Sequence, residues 1–266
     1  MDYNLKIFKS GDMVELWYYN NYLIRESKTK SNNNINKNID LESIELNKEH
    51  CRRYYLSTVK STIIRLVNCN KDIFKSFITL TYKEDVSEDD NTKYLNLLFT
   101  KLRKTYPNLA YVWTLERTKK GRIHIHMLTN ISFENCNTPS NRRKSETHKS
   151  EEVAFENTYW TYIGNVLGFV DIRSVVDSVK YAKYIIKYMT KDNDVVTTNK
   201  HIYGYSRKTL QQPKKEIFNT KLTLEEILQH FKDGTVEYSS NYEIEYGYNY
   251  KATVSYFNIN IGKDCD

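Results

Sequence analysis

Apolar and polar residues recur along this chain in blocks that read as separate strands and helices. Tyr3 to Lys9 and Val14 to Tyr19 flank Ser10-Gly11-Asp12, which predicts a hairpin. Ser27 to Asp40 (SKTKSNNNINKNID) is polar and Asn-rich and predicts a loop. From Leu41 to Val67, Tyr54, Leu56, Val59, Ile63 and Leu66 return at helical spacing, which predicts a long amphipathic helix. Phe77 to Tyr82 (FITLTY) alternates as a strand does. Ser87-Glu88-Asp89-Asp90 marks a helix start, where the macrodipole favours acids. That helix is expected to carry Tyr94, Leu97, Leu98 and Leu102 on its buried face.

Further on, Ala110 to Arg117 and Arg122 to Asn130 predict two strands joined at Thr118-Lys119-Lys120-Gly121. Gly121 suits a left-handed loop position. Asn135 to Ser150 predicts a loop, Glu151 to Leu167 a helix, Phe169 to Val175 a strand and Ser178 to Met189 a helix. A helix is expected from Thr223 to Phe231, with Thr223 and Glu226 at capping-box spacing. Val236 to Ile261 predicts a β-rich tail.

Composition narrows the classes. Of 266 residues, 39% are apolar and 14% aromatic, enough for a packed core. With 8 Gly and 3 Pro, collagen-like and linker-dominated chains are excluded. No apolar run is long enough to span a bilayer, and MDYNLKIFKSGD lacks a signal-peptide stretch, so a cytosolic protein without membrane contact is expected. The net charge of +7 fits a polyanionic partner. Cys51, Cys69, Cys136 and Cys265 are scattered without a CxxC pair, so reduced thiols are expected rather than a zinc ribbon or redox pair.

The chemistry concentrates in two places. In Arg122-Ile123-His124-Ile125-His126-Met127, residues two apart share a strand face. His124 and His126 therefore project together and can chelate one divalent ion. If Lys119-Lys120-Gly121 forms the loop, Glu116 falls opposite His124 on that face. Glu116 then either completes the ligand set or pairs with Arg117 or Arg122. Two imidazoles and a carboxylate suit Mn²⁺ or Mg²⁺ that also holds a phosphate oxygen.

Lys180 to Lys191 (KYAKYIIKYMTK) is the second place. On a helical wheel, Val179, Ala182, Ile186 and Met189 form an apolar stripe. Lys180, Lys183, Lys187 and Lys191 form a basic stripe. Tyr181, Tyr184 and Tyr188 lie between them, with Tyr184 farthest from the core stripe and Tyr181 nearest it. A tyrosine hydroxyl has a pKa of about 10 and attacks phosphate poorly unless a metal and a cation assist.

FITLTY (77–82), Glu116 with GRIHIHM (121–127), and YIIKYMTK (184–191) follow one another in the order of the three motifs of HUH endonucleases. The chain resembles, more narrowly, a rolling-circle replication initiator (Rep) of small plasmids and single-stranded DNA phages. Tyr203 to Lys214 (YGYSRKTLQQPK) also resembles the segment after the tyrosine helix in such proteins, with Lys208 where a glycine is common. The resemblance covers about Ser76 to Lys215.

The resemblance implies an α+β fold with a central antiparallel sheet of about five strands and flanking helices. It implies that the histidines lie on a central strand beside the tyrosine helix. His124 and His126, with Glu116, would bind the divalent ion. Tyr184 would be the nucleophile, leaving a 5′-phosphotyrosine and a free 3′-OH, with Lys187 near the phosphate and Tyr188 as a second tyrosine. Thr79 and Thr81 are read as strand formers near the site. Phosphate contacts are expected from Lys180, Lys183, Lys191 and Arg122.

Residues 1–70 are expected to form an N-terminal hairpin and long helix, 71–215 the nuclease core, and 216–266 a C-terminal helix and β-rich extension, together one compact domain. The terminal strands are expected to extend or cover the central sheet. The function this implies is nicking and later rejoining of single-stranded or hairpin origin DNA in a bacterial host's cytoplasm. No GxxxxGK[ST] occurs, so a host helicase, with a host polymerase, is the expected partner. An HUH transposase or mobilisation relaxase, or a non-catalytic nucleic-acid binder, are the alternatives; tyrosines that follow the histidines disfavour the relaxase.

Overall fold

The computed structural model describes residues 2–20, 23–25, 41–82, 84–117, 122–132, 167–189, 202–246 and 250–262. The expected loops at Ser27–Asp40 and Asn135–Ser150, the turn at Thr118–Gly121, nearly all of the expected helix at Glu151–Leu167, and Lys191 lie outside them. The chain divides into two compact units, Met1–Glu45 with Gln212–Asp266, and Leu46–Gln211. Two antiparallel five-stranded sheets and four described helices make an α+β fold.

The unit at Leu46–Gln211 is built on strands β5 (Ser76–Tyr82), β6 (Tyr111–Arg117), β7 (Ile123–Thr129), β8 (Leu167–Ser174) and β9 (Tyr203–Tyr205). Their order is β8-β5-β7-β6-β9, which puts the histidine strand β7 in the middle. Alternation divides each strand between two faces. Ile78, Leu80, Leu115, Ile123, Ile125 and Met127 face helix α2 (Glu88–Thr105) and pack on its Leu95, Leu98, Phe99 and Leu102. On the opposite face, Phe77, Val112 and Leu128 meet helix α1 (Leu41–Cys69) and helix α3 (Ser178–Met189).

The α2 start is as expected, with the Ser87 hydroxyl accepting from the Asp90 amide. Two helix phases are corrected. Leu97 is 46% exposed, and Leu95 and Phe99 take the buried face with Leu98 and Leu102. Tyr54 is 72% exposed, because it sits off the 56–59–63–66 spacing that α1 buries. In α3, Ala182 and Ile185 are fully buried while Ile186 is only partly so. The helix packs in one cluster with the sheet and α1, so its apolar face is wider and turned from the expected stripe.

The unit containing both termini corrects the expected role of the terminal strands. Strands β2 (Leu5–Ser10), β3 (Met13–Asn20), β10 (Lys214–Phe218), β11 (Thr235–Tyr246) and β12 (Tyr250–Asn260) form their own sheet, ordered β10-β2-β3-β12-β11. Strands β1 (Asp2–Tyr3) and β4 (Ile24–Arg25) pair with each other as a separate short ribbon. The reason is a private core: Leu5, Ile7, Val14, Leu16 and Ile259 pack with Ile227, Leu224 and Leu228 of helix α4 (Leu224–Gln229). Thr223 and Glu226 form the expected capping box. Gly11 turns the β2–β3 hairpin with φ 61°, a conformation that costs glycine nothing. Among the described residues no helix is long and apolar enough to cross a membrane.

Candidate metal centre and tyrosine helix

The β6–β7 register puts Glu116 opposite His124 and Thr114 opposite His126, as the hairpin spacing predicts for the first pair. On the other side, β5 sets Thr79 opposite His126 and Thr81 opposite His124. These residues share the sheet face that α3 covers. Ligand atoms of Glu116, His124 and His126 all lie within 4.8 Å of one another.

The details fit a cation. His126 is 5% exposed, and its Nε2 lies 2.6 Å from Glu116 Oε2. Its Nδ1 is 3.2 Å from the Thr79 hydroxyl, which fixes the ring. Thr79 is therefore a contact of the site as well as a strand former. Thr114 Oγ1 is buried beside this trio without a hydrogen-bond partner. Arg117 pairs with Glu88 at 3.0 Å, so Glu116 turns to the histidine rather than to Arg117. Burial lowers the His124 pKa, as do the neighbouring His126 and Arg122, with Glu116 opposing them. A lowered pKa keeps the imidazole neutral, the form that binds metal. Two nitrogens and a carboxylate from adjacent strands can thus hold a metal ion.

Phe77 links this trio to α3. Its ring stacks on His126 at 5.7 Å and on Tyr181 at 4.8 Å, and meets Tyr184 edge-on at 5.9 Å. The Tyr184 and His126 rings are 6.2 Å apart, centre to centre, and nearly perpendicular. Tyr181 is the packed tyrosine, as expected, whereas Tyr184 is 42% exposed. Lys180, Lys183 and Lys187 are exposed along the same helix, and Arg122 is exposed where β7 begins. Tyr188 lies in α3, four residues beyond Tyr184.

One neighbour had no signal in the sequence. Arg173 lies on β8 opposite Phe77, and its Nε donates to Asp171 Oδ2 at 2.8 Å. Burial opposes its charge, but the Asp171 hydrogen bond and the nearby Tyr181 and Tyr184 raise its pKa overall. A permanent cation thus stands in the field of both tyrosines. Only the β5–β8 register reveals it; the alternation of Asp171 and Arg173 shows merely that they share a face.

Residues 75–193 match a family model for the replication-associated protein ORF2. The matched stretch spans β5 through α3 and so contains Glu116, His124, His126 and Tyr184. It supports a Rep-type replication initiator, with a role in DNA replication and contact with DNA. No curated protein and no solved structure matches the chain.

Proposed function

We propose that the chain is an HUH-type nickase and strand transferase that starts rolling-circle replication, with its catalytic part in residues 71–215. The observation that carries this reading is the 6.2 Å approach of the Tyr184 ring to His126 within the Glu116–His124–His126 trio. His124, His126 and Glu116 hold a divalent ion, Mn²⁺ or Mg²⁺ by ligand type. When bound, such an ion polarises the scissile phosphate and neutralises developing charge.

The chain's own groups do the rest. The Tyr184 hydroxyl oxygen attacks phosphorus, and the bond from phosphorus to the 3′ oxygen breaks. The tyrosine proton is lost, and the leaving oxygen takes up a proton as a free 3′-OH. The 5′ phosphate stays esterified to Tyr184, so the bond energy is kept for rejoining by the reverse step. Lys187, on the next turn of α3, is placed to meet phosphate charge. Tyr188 supplies a second hydroxyl for termination, since helix positions four apart share a face. Lys180, Lys183, Lys191 and Arg122 bind the phosphates of single-stranded or hairpin origin DNA. Host helicase and polymerase complete the reaction in the bacterial cytoplasm.

Denaturing gels for protein–oligonucleotide adducts test the assignment. Tyr184→Phe should lose the first-step adduct, and His126→Ala should lower adduct formation by at least roughly 100-fold and remove its response to Mn²⁺. A Tyr184→Phe protein that forms adducts at the normal rate defeats the assignment of the nucleophile.

A further inference from the structure

A second concavity lies on the α2 side of the same sheet, at its β9 edge. It has a volume of about 380 Å³ and is lined by residues that include Phe99, Tyr111, Trp113, Tyr203, Tyr205 and Arg207. Binding cavities for small aromatic groups start near this size, at about 300 Å³. Trp113 precedes Thr114 on β6, so its indole projects from the face opposite the trio.

Three features make this a built site. The first is Gly204, which pairs with Trp113 across the β6–β9 ladder. A Cβ on Gly204 would lie 2.6 Å from the indole Nε1. Its absence lets the indole lie against the β9 backbone and leaves space beside it. Phe99 and Tyr111 stack at 3.9 Å and form a rigid aromatic wall.

The second feature is a set of unused donors. Among the described residues, the Trp113 indole N–H and the Tyr203 and Tyr205 hydroxyls make no hydrogen bond. Burial raises the Tyr203 pKa, with Tyr205 acting in the same direction against Arg207, so this hydroxyl stays protonated and able to donate. β9 is also the last strand of its sheet. Ile202 and Ser206 bond to β6 through their main chains. The alternation of an antiparallel ladder therefore turns the main-chain groups of Tyr203 and Tyr205 to the open edge.

The third feature is Arg207, exposed at the mouth and without an ion pair among the described residues. The guanidinium carries a permanent charge and a fork of donors matched to phosphate. Aromatic planes, free donors and an uncommitted guanidinium together fit a flat heterocycle joined to a phosphate.

We infer that this cavity binds one unpaired nucleotide of a DNA strand, with the base against Trp113 and its phosphate on Arg207. The choice of a strand rests on the nickase reading above. The trio sits on β7 and β6, and β9 is the next strand out, roughly 10 Å from β7 at ordinary strand spacing. A strand crossing the sheet edge from the trio therefore reaches the cavity within a few nucleotides. The cavity selects a flipped base at a fixed distance from the scissile phosphate, which sets where the cut falls.

The test titrates the full chain with a short oligothymidylate in EDTA, where no cleavage occurs. NMR follows the Trp113 indole N–H, assigned through Trp113→Phe. The signal should shift saturably. Arg207→Ala should weaken binding about tenfold, and Gly204→Ala, which pushes the indole into the cavity, at least as much. Arg207→Ala should still form the covalent adduct with Mn²⁺ at saturating strand. An unmoved Trp113 signal at saturation, or Arg207→Ala affinity within about twofold of wild type, overturns the inference. Thymidine monophosphate that binds as tightly as the oligomer overturns the strand assignment in favour of a free nucleotide. A wild-type protein that shows the Trp113 shift but forms no adduct supports the cavity while refuting the nickase reading.

Discussion

The two five-stranded sheets share their antiparallel pairing but are stabilised by different means. The β8-β5-β7-β6-β9 sheet is covered on both faces, by α2 on one and by α1 and α3 on the other. The β10-β2-β3-β12-β11 sheet has the six-residue helix α4 on one face. Its other face carries an aromatic ladder across four strands, Phe8–Trp17–Tyr256–Tyr238, with centroid spacings of 5.8, 4.9 and 6.0 Å. Lys6 caps the ladder 4.1 Å over Trp17. Where both faces are dry, a polar side chain is held by packing on every side, which is how His126 gains a fixed ring. Where one face is built of pairwise contacts, side chains keep more freedom. Ligands that must be positioned before a metal arrives belong on the first kind of sheet.

Truncation at equivalent depths gives the sharpest contrast. Leu80→Ala empties a fully buried site in the first sheet and should cost about 2–5 kcal/mol. Tyr238→Ala, at a 57% exposed position, should cost no more than about 1 kcal/mol. Hydrogen exchange read separately on β5 and β11 measures both, and equal losses would erase the distinction.

A smaller effect concerns the ring held by Thr79. Thr79→Val keeps the shape but removes the hydroxyl 3.2 Å from His126 Nδ1. Mn²⁺ affinity should fall by about 10- to 100-fold, as outer partners of metal-binding histidines usually contribute. Calorimetric titration would detect this, and unchanged affinity would leave Thr79 as a strand former only.

The smallest effect belongs to the other sheet. Lys214 and Lys9 hold the Glu216 carboxyl below its ordinary pKa. A depressed carboxylate pKa contributes stability above the unfolded value of about 4.3, and that contribution disappears as pH falls through the folded value. For this surface group it is at most about 1 kcal/mol. Urea midpoints between pH 3 and 6 should drop less steeply in Glu216→Gln than in wild type.

Local features of the sequence carried most of the first sheet. A short hairpin allows few registers, so Glu116 opposite His124 follows from loop length and strand period. The caps at Ser87 and Thr223 are contacts three residues apart. Helix phases were less legible: Leu97 and Tyr54 look apolar in the string but miss the buried side. The short strands β9 and β10 carry too few residues for alternation to register. Pairing of β3 with β12 joins the two ends of the chain, and no local pattern encodes it. Arg173 escaped for the same reason, since it meets the tyrosines only through the β5–β8 register and the seating of α3.

That end-to-end pairing has a consequence for biosynthesis. β12 lies between β3 and β11, so an inner strand of one sheet is also its last to be translated. Ribosomes add about 5–20 residues each second, and the early hairpin waits on the order of ten seconds for its neighbour. Throughout that interval the outer edge of β3 offers unsatisfied main-chain groups to any passing strand. Residues 46–211 emerge during the same delay, and the sheet that holds both termini closes only afterwards.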